Sequence, residues 1–172
     1  MKIKWKTIEN IDYEAIESWL SFQDKTNLCM QSKNWEQTAT DIGECLELMD
    51  NAQFKNLVGF VNNRPVVAVM FGIEQIKVLN LYNIVVNPKY RGNGIAKNVI
   101  LQLVKNDESL GISKPYEKVI ASTLPNNQNV QKVFQSLGFK NLGFDGEYVV
   151  FENNTQIENQ ITLWFLIKRI LL

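Results

Sequence analysis

Arg91-Gly92-Asn93-Gly94-Ile95-Ala96-Lys97 is the stretch whose residue types and spacing can do chemistry. Glycines at 92 and 94 open backbone conformations closed to other residues and leave no Cβ between the main chain and an approaching ligand. A helix opening at Ile95 aims its first N–H groups, and the positive end of its dipole, at the same spot. Such a turn seats an anion, in the form of a phosphate or a diphosphate. No Gly-Lys-Ser/Thr follows, which excludes a P-loop, and Lys97 stands near the point where the dinucleotide fingerprint needs a third glycine. On its own the turn also fits a plain strand-to-helix connection or an unrelated α/β nucleotide binder.

The elements around the turn have to hold it. Lys77–Val86 is apolar, β-branched and aromatic, and Asn87-Pro88 stops it, so a buried strand leads in. Ile95, Val99, Ile100, Leu103 and Val104 recur at helical spacing, so a helix leads out and runs towards Gly111. Upstream, Ile3–Thr7 alternates as a strand, and Asp12 caps a helix to Ser21 with Tyr13, Ile16, Trp19 and Leu20 inward. Residues 27–34 form a loop or a short helical turn. A second helix covers about 35–50 with Ile42, Cys45, Leu46 and Met49 inward and Gly43 as a weak point. Phe54–Val61 and Pro65–Ile73 form a hairpin through Asn62-Asn63-Arg64. Downstream, Lys118–Thr123 is a strand and Gln128–Leu137 a helix closed by Gly138. Asp145-Gly146 joins the strands Phe139–Phe144 and Glu147–Glu152, and Asn153-Asn154 makes a further turn. Gln160–Arg169 reads as a terminal strand or extension, or else a helix, and is too short to span a bilayer.

Composition bounds the rest. The chain has 172 residues, long enough for one domain with a substantial core. Eighteen basic and eighteen acidic residues cancel, so whole-chain charge suggests neither a nucleic-acid nor a membrane partner. Histidine is absent, which excludes Ser-His-Asp and Cys-His catalysis and the H-E-x-x-H proteases. Two cysteines without histidine make no zinc site, no metal is expected, and Cys29 and Cys45 are not expected to pair. Met1–Lys6 carries charge without an apolar segment behind it, so a cytoplasmic protein is expected. Glu14, Glu17, Glu36, Glu44 and Glu47 form either solvated helix faces or an amine-attracting mouth.

Val86-Asn87-Pro88, Lys89-Tyr90, Arg91-x-x-Gly94-x-Ala96 resembles the acyl-CoA signature of the GNAT superfamily of acetyl-CoA-dependent N-acetyltransferases. A second stretch, Thr123–Phe139, is similar to another segment of that family through Asn127, Val130, Val133, Phe134, Gly138 and Phe139. Its TLPxN wording leans towards the RimJ/RimL-like branch, which acetylates ribosomal protein N-termini. The resemblance implies an α/β fold: a mixed, mostly antiparallel twisted sheet of six to seven strands flanked by about four helices. It also implies that the strands at Leu81–Val86 and Lys118–Thr123 splay apart to admit a pantetheine arm.

The family's site residues carry over as follows. Arg91, Gly92, Asn93, Gly94, Ile95, Ala96 and Lys97 hold the diphosphate of acetyl-CoA through main-chain N–H groups, with Arg91 and Lys97 as charge partners. Ile84, Val85 and Val86 pair with the pantetheine amides like an added strand, and a main-chain N–H there faces the thioester oxygen. Asn127 lies on the pantetheine or substrate side. The match departs at the acid–base positions. The family's proton-donating tyrosine falls on Phe134, and positions that often carry a glutamate base fall on Asn80 and Ser122. Tyr82 and Tyr148 are the candidate substitutes for the acid. The expected partner is an amine acceptor of low pKa, a small molecule or a peptide N-terminus, and the expected assembly is a monomer or a homodimer with an edge at 161–167. The implied activity is N-acetyl transfer. The alternative is a catalytically weak acyl-CoA-binding sensor of the same fold.

Overall fold

The computed structural model describes residues 2–28, 30, 33–49, 52–73, 77–113 and 115–155. The order is β1 (Lys4–Thr7), α1 (Asn10–Glu17), α2 (Phe22–Asn27), α3 (Trp35–Glu47), β2 (Gln53–Val61), β3 (Arg64–Ile73), β4 (Val78–Val86), α4 (Ile95–Val104), β5 (Lys118–Thr123), α5 (Gln128–Ser136), β6 (Lys140–Phe144) and β7 (Val149–Asn154). The seven strands of the described residues form one sheet in the order β1-β2-β3-β4-β5-β7-β6. Neighbours are antiparallel except β4 and β5, the parallel pair, which need a crossover and get it from α4. The mixed, mostly antiparallel sheet is the one expected from the sequence.

β3 sits near the centre and is buried from Val66 to Ile73, which explains its unbroken apolar run. Val67, Val69, Phe71 and Ile73 enter a core with Ile95, Val99, Ile100, Leu103 and Val104 of α4 and Phe134 of α5. Ala68 and Met70 point the other way, into a core with Ile16, Trp19, Trp35 and Ala39. Period-two alternation therefore feeds two layers of helices from one strand. Asn62 and Asn63 have φ of 51° and 60°, so a two-residue turn of the twist-compatible kind joins β2 to β3.

Several local readings change. Asp12 does not open α1. Glu9 is the N-cap, and Asp12 sits three residues in and reaches back to accept from Glu9 N–H at 3.0 Å. The helix stops at Glu17 rather than Ser21. Ser21 opens α2 instead, with its hydroxyl accepting from Asp24 N–H at 3.1 Å. α3 ends at Glu47, so Cys45 and Met49 lie exposed rather than inward, whereas Leu46 is buried. Leu46 comes so close to Gly72 that a Cβ there would meet its Cδ1 at 2.6 Å. Asn153 and Asn154 extend β7 instead of turning. The terminal strand read over 160–169, the 161–167 edge and Cys29 lie outside the described residues. Among the described residues, no helix is long and apolar enough to cross a membrane.

Tyr116 ties the segment after α4 to the core. It is fully buried, and its hydroxyl donates to Leu103 O in the last turn of α4, a carbonyl that also accepts from Asn106 N–H at 3.1 Å. Burial first, and the Asp107 charge second, push its pKa above the ordinary tyrosine value. The neutral phenol therefore stabilises the fold fully below the unfolded value of about 10, and this contribution is lost as pH rises beyond it. Tyr116→Phe is expected to remove about 1 kcal/mol at pH 7. Its melting temperature should also fall less steeply than the parent's above pH ~10. Thermal melts across that range check both; equal alkaline slopes would remove Tyr116 as the cause.

Candidate active site

The turn after β4 is built by side chains as much as by glycines. Asn87 accepts from Lys89 N–H at 3.1 Å and donates to Pro65 O at 3.2 Å, which fixes the short 3-10 turn Pro88–Tyr90. Asn93 Nδ2 donates to Tyr90 O and Arg91 O at 3.1 and 3.3 Å. Gly92 and Gly94 have φ of 79° and 71°, and a Cβ on either would meet nothing within 4 Å. Their glycine requirement is therefore conformational, and the space over them is open. Gly94 is the N-cap of α4, with no side chain capping the helix, and the intrahelical ladder begins with Asn98 N–H on Gly94 O at 2.9 Å. Among the described residues, the N–H groups from Gly92 to Lys97 meet no acceptor. Six consecutive donors at an open helix N-terminus have the chemistry that suits an anion.

Arg91 is engaged elsewhere. Its Nε donates to Val86 O at 3.0 Å, and its Nη2 donates to Trp19 O at 3.2 Å and to Asp24 Oδ2 at 3.0 Å. The guanidinium thus straps α1 and α2 to the turn, while Lys97 is exposed beside it. Burial alone would raise the Asp24 pKa, but the Ser21 hydroxyl and N–H and the Arg91 charge outweigh it and hold the carboxyl below the usual range. With a depressed folded pKa, this contribution is present above the unfolded value of about 3.9 and is lost as pH falls through the folded one. Asp24→Asn should therefore melt below the parent at pH 7 and converge with it near pH ~2, as followed by circular dichroism. A gap that persists in acid would contradict the assignment.

The second feature is a split in the sheet. β4 and β5 pair from Val78↔Lys118 to Leu81↔Ala121 and no further. At the same point β4 bulges: Met70 faces Asn83 but Phe71 faces Leu81, so Tyr82 is the extra residue. The insertion flips the strand's parity. Leu79, Leu81, Ile84 and Val86 pack on the α4–α5 side, whereas Tyr82 and Val85 pack on the α1–α3 side. Asn87 N–H donates to Val66 O, which makes this a hydrogen-bonded pair of the β3–β4 ladder. By alternation, Val85 and Asn83 also bond to β3, while Ile84 and Val86 turn their N–H and C=O groups towards the gap left by β5.

A cavity of about 390 Å³ fills this gap. Asn80, Tyr82, Ser122, Phe134, Ile84 and Asn127, all singled out from sequence, line it together, and so does Tyr148. Val85 does not; its side chain is buried beside Ala68 and Met70. The 91–97 turn lies past the end of β4, outside the lining. Asn127 occupies the N-cap position of α5 but makes no capping bond. Phe134 is 3% exposed, with its ring 5.2 Å from both Phe139 and Phe151, so it belongs to the core and closes the cavity floor. Asn27 and Leu28 from the end of α2 and Thr38 and Ile42 from α3 form a wall that sequence reading missed. No motif marks them, because chain folding alone carries them there. The described acidic residues of α1 and α3 are absent from this lining: Glu17 pairs with Lys25, and Glu14, Glu36, Glu44 and Glu47 are exposed. Among the described residues, no group of three or more His, Cys, Asp or Glu is placed to hold a metal.

Comparison with known proteins bears on this arrangement. No curated protein matches the chain. Solved structures do. A domain from Methanocaldococcus jannaschii is similar at TM-score 0.63 and 22% identity, covering 89% of this chain and 98% of that one. The ribosomal-protein-S18-alanine N-acetyltransferase of Escherichia coli is similar at TM-score 0.59 and 16% identity, over 90% and 94%. Spermidine N-acetyltransferase from Vibrio cholerae, in complex with CoA and spermine, is similar at TM-score 0.66 and 14% identity, over 90% and 96%. At these identities the likeness is one of fold. The acetyltransferase (GNAT) family matches residues 13–139, which takes in β4, the open turn, the split with β5 and all of α5. The chain belongs to the acetyltransferase (GNAT) family.

Proposed function

We propose that the protein transfers an acetyl group from acetyl-CoA to a primary amine by direct attack on the thioester. The observation that carries this is the pairing of six acceptor-free N–H groups at Gly92–Lys97 with a sheet split whose exposed strand edge leads away from them. Acetyl-CoA fits both: its diphosphate suits the turn, and its pantetheine arm suits Ile84 and Val86, whose main-chain groups face the gap. When bound, it supplies the activated acyl group. The chain's own work is to hold the diphosphate from Gly92 to Lys97 and to align the arm along β4. Arg91 keeps the turn in place, and the N–H of Ile84 or Val86 would donate to the thioester oxygen. Val85 contributes through β3 pairing and core packing.

Phe134 has no proton to give, and Asn80 and Ser122 are not bases. A thiol of pKa about 8.5 leaves as its anion, so the acid is dispensable. General acid–base help contributes about 10²–10⁴-fold, less than positioning and oxyanion stabilisation together. Lack of a base selects the acceptor. A lysine amine of pKa about 10.4 is neutral in a few molecules per ten thousand at pH 7, whereas an α-amine of about 7.7–8.0 is neutral in roughly one in ten. The acceptor is therefore a low-pKa amine such as a peptide N-terminus.

Acetyl-CoA at a hundred times its Kd should stabilise the fold by about 2.7 kcal/mol, and thiol release should follow when an α-amine is added. No stabilisation sinks the reading. The absence of carboxylates from the described lining also favours a second one, an acyl-CoA-binding sensor: stabilisation without thiol release from any amine supports that instead.

A further inference from the structure

We infer that the acceptor is an amine whose body, beyond the reacting nitrogen, carries no second positive charge, such as a peptide N-terminus followed by uncharged residues. This rests on the acetyltransferase reading above but on different residues. Every described side chain lining the cavity is uncharged at neutral pH. The wall facing the β4–β5 gap combines amide and hydroxyl groups at Asn27 and Thr38 with apolar surface at Leu28 and Ile42. That pairing suits peptide groups and a neutral side chain.

Two carboxylates on the elements that form this wall already have charged partners. Asp24 of α2 pairs with Arg91 at 3.0 Å, and Asp41 of α3 pairs with Lys33 at 2.5 Å. Glu147, beside the cavity residue Tyr148, accepts its hydroxyl at 2.7 Å and is exposed, outside the lining. A second ammonium entering here sheds water and meets hydroxyl and amide dipoles from the lining rather than a lining carboxylate, which is unfavourable.

The test compares alanyl-norleucine amide with alanyl-lysine amide, whose α-amines are alike and whose bodies differ chiefly in one remote charge. Thiol release from acetyl-CoA is followed for both at pH 7.5. The norleucine peptide is expected to have a kcat/KM about thirtyfold higher or more. Asn27→Asp, nearly isosteric, should shrink that ratio by about tenfold by placing a carboxylate on the wall, and Thr38→Glu does the same from α3 should Asn27→Asp fail to fold. Equal or better use of the lysine peptide, an unchanged ratio in a folded variant, or turnover of neither peptide overturns the inference. Thermal stabilisation by acetyl-CoA, read separately, distinguishes these outcomes from failure of the acetyltransferase reading itself.

Discussion

Gly94→Asp is expected to weaken acetyl-CoA binding about a hundredfold or more while the protein stays folded. Gly94 caps α4 at φ 71°, in the left-handed region, where aspartate is among the better tolerated non-glycine residues. A Cβ there meets nothing within 4 Å, so no neighbour has to move. The new carboxylate sits among the N–H groups of Gly92–Lys97, competes for them, and repels a diphosphate. At about 4 Å and an effective dielectric near 20, one like-charge pair costs about 4 kcal/mol, more than the hundredfold needed. Backbone strain of about 1–2 kcal/mol is partly offset by an acidic group at a helix N-terminus, so the melting temperature should move by only a few degrees, about 2–4 °C per kcal/mol. Calorimetric titration of acetyl-CoA against parent and variant decides it. Undiminished affinity in a folded variant would place the diphosphate elsewhere.

Trp35→Ala carries the largest expected loss of stability, about 3–5 kcal/mol out of a typical total of 5–15. Trp35 is fully buried at the first position of α3, packed with Ile16, Met30, Val58 and Met70. Its Nε1 donates to Asn56 Oδ1 at 3.0 Å, and Asn56 Nδ2 donates in turn to Tyr13 Oη at 3.3 Å. Its main-chain N–H donates to Glu17 Oε2 at 3.2 Å. One side chain thus joins α3, α1 and β2. Truncation leaves a cavity and strips Asn56 of a donor. Trp35→Phe keeps most of the volume and should lose about 1–3 kcal/mol, mainly from the unpaired Asn56 carbonyl. Because Thr38 and Ile42 hang from the same helix, acceptor selectivity should loosen before acetyl-CoA binding does. Urea unfolding measures the first effect, and a loss under about 1 kcal/mol would contradict the anchoring role.

The extent to which this molecule can be read in advance differs by element. Strand β3, the helical spacing in α4 and the paired asparagines between β2 and β3 each carry their instruction in neighbouring residues. The same holds for the turn at Arg91–Lys97, where glycine conformational freedom and a helix start are local properties. The boundary between α1 and α2 was not readable that way. Asp12 and Asp24 both sit third in their helices and reach back to the cap, and a sequence pattern alone does not separate an acidic residue at that position from the cap itself.

Sequence by itself determined the strand–turn–helix that offers six N–H groups to an anion, the mixed sheet, and the family to which the chain belongs. Tertiary structure alone decided the bulge at Tyr82, which flips β4 and turns Ile84 and Val86 towards the gap while burying Val85 on the opposite face. It also decided the recruitment of Arg91 by Trp19 and Asp24, and the neutral wall from α2 and α3. The reason is physical: backbone freedom and helix periodicity act over a few residues, whereas a strand's parity and a cavity's lining depend on partners supplied by other elements of the fold.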